Sequence, residues 1–322
     1  MDVPSGVTAS VEASNVLTGR FKFVKEGEGT LVPGGTQSYL GGTRIDGGTV
    51  NLPAGYTVFG AAGTEIEVAP GGTLDMNGKY PFWDNVITLA GGTLQNTGGD
   101  VAYNKAHLTS VRLTADSMMC LNNSYGLTAS QNAPTTLDLG GYELTVDVAE
   151  GKGFWFNNVD VTAGKLKVTG GGKFAIDRTS LRGAAADFDL ECGEVTVAVN
   201  CDVGGWTVGA NTAVSGNGTV TIRDTYRPLG DSVSKYLLAD RATFDLSGRS
   251  TAFDITDKNL SFADGATIFV NPLPRKGGLI VPWTTPSNLS TLTFRKTPDA
   301  EGCLSVDARG IFFRRGLIIM VR

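Results

Sequence analysis

Thr136–Trp155 reads TLDLGGYELTVDVAEGKGFW, and Asp187–Trp206 reads DFDLECGEVTVAVNCDVGGW. Laid over each other without a gap, eight of the twenty positions agree: Asp138/Asp189, Leu139/Leu190, Glu143/Glu194, Thr145/Thr196, Val146/Val197, Val148/Val199, Gly153/Gly204 and Trp155/Trp206. The offset is 51 residues. Self-similarity at a fixed spacing marks an array of stacked repeats. Shorter echoes lie to either side. The pattern x-[LF]-D-[LM] returns at Thr73–Met76 and Thr243–Leu246, and Phe82-Trp83 precedes Phe154-Trp155 by 72 residues. GGT triplets start at Gly34, Gly41, Gly47, Gly71 and Gly91. These offsets reduce to a unit of roughly 20–26 residues.

Within a unit the period is two. Leu144, Val146 and Val148 alternate with Glu143, Thr145 and Asp147, and Val195, Val197 and Val199 alternate with polar neighbours in the same way. That is a strand with one buried side. Gly-Gly, Asn-Gly and Gly-Gly-Gly bends separate the strands, where positive φ is cheap only for Gly or Asn. No segment is helical enough for crossover connections. A unit of two or three such strands cannot bury its apolar row alone, but stacked coils can. The sequence therefore predicts an all-β, right-handed parallel β-helix, a rod on the order of 60 Å long at ~4.8 Å per coil. Coils are expected over 1–235. The proline-bearing segment 236–322 is expected to hold terminal coils or a less regular capping β module. The competing architecture is two antiparallel β-sandwiches.

Composition narrows the function. Of 322 residues 44 are Gly and only 18% are charged, with a net charge of −5 that argues against a basic nucleic-acid-binding face. From Arg275 to Arg322 eight Lys/Arg oppose three Asp/Glu, so the body carries −10 and the tail +5. A basic end on an acidic body is either an attachment surface or a solvated edge. No apolar stretch reaches the ~18 residues of a membrane helix. The opening MDVPSGVTAS has no apolar leader, which implies a removed signal or a fragment of a longer chain. Cys120, Cys192, Cys201 and Cys303 have no metal-like spacing and are expected to be buried free thiols.

GGTLDMNGK (Gly71–Lys79), TLDLGGYELTV (Thr136–Val146) and GNGTVTI (Gly216–Ile222) resemble right-handed parallel β-helix proteins. They are closest to the passenger-associated repeats of bacterial autotransporter-like surface proteins and more loosely similar to pectin-lyase-like helices. The likeness covers roughly residues 30–225 and rests on turn chemistry rather than a catalytic motif. It implies a secreted or cell-surface life as a stalk or adhesion module. A translocator barrel would need many ~10-residue alternating strands, and the ending RRGLIIMVR supplies one.

Pectin-lyase-like helices include enzymes on acidic glycans, so a polysaccharide lyase or glycoside hydrolase is the alternative. The polygalacturonase-type patterns N-T-D and R-I-K meet only Asn96-Thr97-Gly98 and Arg44-Ile45-Asp46, which lack the working residue. Asp177-Arg178 with Arg182 lacks a companion carboxylate set. The sole histidine, His107, has no G-x-S-x-G partner, and Gly170-Gly171-Gly172-Lys173 runs into Phe174 rather than Ser or Thr. No catalytic residue, metal ligand or cofactor site is assigned.

Two binding features are assigned. Tyr80, Trp83, Trp155 and Trp206 are candidate glycan-stacking rings, weighed against an inward aromatic ladder, which the period produces equally. Asp187, Asp189 and Glu191 share one side of a strand as a candidate acidic strip, related to the recurring Asp75, Asp138, Asp189 and Asp245. Calcium collection is weighed there against carboxylates that serve a bend. The expected partner is a surface polysaccharide or another cell-surface protein.

Overall fold

The alternating rows become three-sided coils in a computed structural model, which describes residues 1–14, 16–53, 60–79, 83–101, 108–128, 135–177, 186–230, 235–256, 258–274 and 277–315. One face is a fourteen-stranded sheet running from Thr8–Val11 to Thr293–Lys296, with every neighbouring pair parallel. A second face carries seven strands from Phe23–Lys25 to Val159–Val161, then four from Cys201–Val203 to Leu260–Phe262. The third carries the pair Thr18–Gly19 and Ser38–Tyr39 and, further along, five strands from Tyr125–Thr128 to Ala213–Ser215. The chain is a parallel β-solenoid, and the sandwich alternative is set aside. Among the described residues, antiparallel pairing occurs only where Gly310–Arg314 lies between Gly278–Pro282 and Cys303–Asp307. The long sheet continues past residue 235 through Thr243–Asp245, Thr267–Asn271 and Thr293–Lys296. Residues 236–315 thus hold both terminal coils and the antiparallel sheet.

Register turns the period-two pattern into ladders. Leu144 stands beside Leu166, and Leu166 beside Phe188, so one coil here is 22 residues. The ladder goes on through Trp206, Tyr226 and Phe244, all buried. The 51-residue echo is therefore not a whole number of coils. It spans two coils plus one face, and it lays Glu143–Val148 of the long sheet over Glu194–Val197 of the third face. The identities are real, but they record strand-and-bend grammar shared by all three faces.

Aromatic rings fill the middle of the rod. Phe154 stacks on Phe174 at 5.6 Å, Phe174 meets Phe188 edge-on at 6.2 Å, and Phe188 stacks on Trp206 at 5.9 Å. Tyr226 and Phe244 continue the stack at 5.6 Å. Each fully buried side chain of this kind contributes ~1.5–3 kcal/mol over its exposed state, and offset rings add ~0.5–1.5 kcal/mol.

Corner chemistry explains three of the four recurring aspartates, whereas Asp189 pairs with Lys165. The carboxylates of Asp75, Asp138 and Asp245 each accept the backbone N–H two residues on, from Asn77 (2.8 Å), Gly140 (3.2 Å) and Ser247 (2.9 Å). This turn is native to Asp and Asn. After Asp75 the chain bends through Asn77 and Gly78, at φ of 48° and 70°. Asp75 also ties coils together, accepting from Asn51, Gln95 and Thr97 on the levels to either side. Near the N-terminus a buried Lys25 does the reverse job: its ammonium donates to the carbonyls of Glu26 (2.9 Å), Gly27 (2.8 Å) and Gly47 (2.9 Å).

Two outcomes follow from this packing. Phe174→Ala opens a cavity among three ring neighbours and is expected to cost ~3–5 kcal/mol, read as a lower urea midpoint. Asp245 is buried; burial alone would raise its pKa, but Ser247, at 2.9 Å, and the Arg227 guanidinium, whose two nitrogens lie at 2.5 and 2.7 Å, hold it below the usual carboxylate range. Its stabilisation is complete above the unfolded value of about 3.9 and is lost as pH falls through the lower folded value. The urea-midpoint gap between native protein and Asp245→Asn is thus expected to narrow as pH drops from about 5 to about 3. A gap that stays constant would overturn this account.

Candidate functional site

The third face carries Trp155, which among the described sequence-assigned aromatics is the one that reaches solvent. Its strands Gly153–Asn157 and Lys173–Asp177 turn Phe154, Phe156, Phe174 and Ile176 inward, which leaves Trp155 pointing out. Across the outer surface, Gly126, Trp155, Ala175, Thr196 and Ser215 are register neighbours. Trp155 is half-buried and lies flat. A Cβ on Gly126 would collide with its pyrrole edge, and one on Gly153 would stand 2.9 Å from Cζ3 of its benzene ring. The two glycines are the recess that lets the indole rest on the backbone.

Beside the benzene edge opens a groove of about 550 Å³, floored by glycines including Gly171 and Gly172 and rimmed by Lys152, Lys173 and Glu194. The glycines have their own packing reason: a Cβ on Gly172 would press on Val148 and on the carbonyls of Ala149 and Lys152. The rim is paired. Lys152 sits 3.0 and 3.1 Å from the two Asp100 oxygens, and Lys173 is 3.0 Å from Glu194. The Ser124 N–H and Lys152 hold the Asp100 carboxyl below its ordinary pKa, and Lys173 does the same for Glu194.

Trp206 is a different case and corrects the sequence assignment. Its ring is fully buried between Phe188 and Tyr236, so it belongs to the inward ladder. The echo pairs Trp155 with Trp206, yet one faces out and the other in. The signal that separates them is local: Phe154 and Phe156 flank Trp155, whereas Trp206 shares its period-two row with Val208. Tyr80 lies outside the described residues, as do His107, Arg178 and Arg182. Trp83 opens the strand Trp83–Ala90, and its side chain is likewise outside the described part.

The residues assigned to the acidic strip lie on one strand of the long sheet and directly after it, with Asp187 and Glu191 exposed and Asp189 half-buried. They are interleaved with lysines from the preceding coil. Lys165 lies 3.0 Å from Glu143 and 3.3 Å from Asp189, and Lys167 lies 3.3 Å from Glu191. Asp187 accepts the Gly205 N–H at 2.6 Å; desolvation, with Asp224 nearby, still raises its pKa above the ordinary value. Gly205 and Thr207 leave a notch of about 310 Å³ between these acids and Thr225 and Arg227. Among the described residues no group of three or more His, Cys, Asp or Glu is placed to hold a metal ion.

Cys192 and Cys201 are buried free thiols, as expected, with burial pushing their pKa values up to about 11 and about 12. Cys120 is half-buried and Cys303 exposed, against that expectation: Cys120 takes an outward position in its strand, and Cys303 opens an outer strand of the antiparallel sheet. No helix among the described residues is long and apolar enough to cross a membrane.

No protein-family model matches the sequence, and no solved structure matches the fold. Over 112 residues, 33% of this chain, the sequence is 37% identical to the adhesin BmaC autotransporter of Brucella suis biovar 1 (strain 1330). The match spans 3% of that protein's length. The chain is a parallel β-solenoid, and over about a third of its length it is similar to an autotransporter adhesin.

Proposed function

We propose that the chain is a length of rigid surface rod, the display part of an adhesin, working outside the cell and contacting glycans through the Trp155 groove. The observation that carries the rod is the fourteen-stranded sheet, parallel and continuous from Thr8 to Lys296. A solenoid whose every level is hydrogen-bonded to the next holds lateral features at fixed positions along its length. The relative reported above is named an adhesin, which supports the same reading. Glycan contact rests on an outward indole beside an open groove. The flat apolar ring suits the C–H face of a sugar, and the volume is within the ~300–1,000 Å³ of ordinary ligand sites. The partner on this reading is a surface polysaccharide or the glycan of another cell-surface protein.

Small-angle scattering is expected to give an elongated particle with a long dimension on the order of 60 Å; a compact one would sink the rod. Beads coated with the chain are expected to adhere to glycan-bearing cell surfaces. Trp155→Ala is expected to remove most of that adhesion without altering the scattering curve. Adhesion that survives the substitution would place the contact elsewhere on the rod.

A further inference from the structure

The groove beside Trp155 differs in charge from what an acidic-glycan site needs. Recognition of uronates or sulfated sugars calls for cations whose charge is not already neutralised by a neighbouring carboxylate. Both lysines of this rim are already engaged, Lys152 by Asp100 and Lys173 by Glu194, at 3.0 Å each. A carboxylate entering here would have to displace one of those anions or lie against it. The wider field points the same way, since the protein carries a net −5, and like charge slows and weakens association.

The apolar side of the groove is planar rather than pocketed. Trp155 lies parallel to the sheet over Gly126 and Gly153, Ala175 stands next to it in register, and Gly171 and Gly172 carry no side chains. Such a floor accepts a flat ring. The paired rim still has carboxylate oxygens of Glu194 and ammonium hydrogens of Lys173 and Lys152 to share with hydroxyl groups.

Resting on the reading of this groove as a glycan contact, we infer that its ligand is an uncharged pyranoside, a hexose or N-acetylhexosamine residue of a neutral glycan, stacked on Trp155 and not an acidic polysaccharide. Binding of this kind depends on apolar contact and neutral hydrogen bonds, so added salt screens little of it.

The test is titration of the purified chain with cellohexaose, triacetylchitotriose and polygalacturonate at about 20 mM and about 500 mM NaCl, a range over which the Debye length shrinks several-fold. Binding is read by calorimetry and saturation-transfer NMR. At least one neutral oligosaccharide is expected to bind with affinity unchanged within about twofold between the two salts, as unscreened apolar contact predicts. Polygalacturonate is expected not to bind. Trp155→Ala is expected to weaken the neutral ligand at least tenfold. Ala175→Phe, which keeps the indole and fills the groove from the neighbouring strand, is expected to do the same, with circular dichroism and urea midpoint reporting that each variant is folded. Polygalacturonate binding that needs Trp155 and fades with salt would overturn the neutral ligand while keeping the glycan contact. Neutral binding that both folded variants retain would overturn the site. Silence towards all three sugars would overturn the glycan contact itself and leave the rod standing.

Discussion

Everything in this fold depends on backbone hydrogen bonding between levels. A parallel strand satisfies none of its N–H and C=O groups within its own coil; they are met only by the strands above and below. Leu166 is useful because Leu144 and Phe188 stand on either side of it in register, and the same holds along the whole long sheet. The apolar rows do not select this arrangement alone, since a sandwich also buries alternate residues. What selects it is the combination of short strands, bends too tight for crossover helices, and corner residues that bond across levels. Asp75 shows the last point, with its carboxylate accepting from three consecutive levels.

Much of this was legible in the sequence, and the misreadings have a common cause. The alternation at Glu143–Val148 and Glu194–Val197 correctly gave strands with one buried side, and the x-[LF]-D-[LM] unit correctly marked a strand running into a bend. The phase of the repeat was not legible. Three faces built from the same strand-and-bend grammar can be matched out of step, and an offset of two coils and a face matches as well as a whole number would. That is why Trp155 and Trp206 align in sequence and yet one points outward from the third face and the other inward from the long sheet. The parity of the flanking apolar residues distinguishes them; identity does not. The groove beside Trp155 was illegible for another reason. Its floor is made of glycines set by coil-to-coil clearance, and its rim pairs Lys152 with Asp100, 52 residues apart.

The outer surface is organised by charge compensation between coils. Lys165 bridges Glu143 and Asp189, and on the second face Glu67 receives both Lys22 and Arg44 at 2.9 and 2.6 Å. Exposed pairs of this kind contribute only ~0–1 kcal/mol each. Their larger effect is to prevent a column of like charges, which stacking in register would otherwise create from any charged residue repeated coil after coil. Small residues such as Gly205 and Thr207 interrupt that alternation and open the notch next to Asp187.

The parallel register has a mechanical meaning for a rod that holds something at a distance. Interstrand hydrogen bonds in such a solenoid run along the rod axis, so a pull on the two ends stretches them directly. Bonds within one level share the load side by side, while successive levels bear it one after another, as links of a chain do. The rod then yields at its least bonded level rather than everywhere at once. The levels knitted by Phe174, Phe188 and Trp206 have rings that must slide past one another before the strands can part. Extension under force is therefore expected to begin away from that aromatic middle, leaving the coils that carry Trp155 folded while others give way.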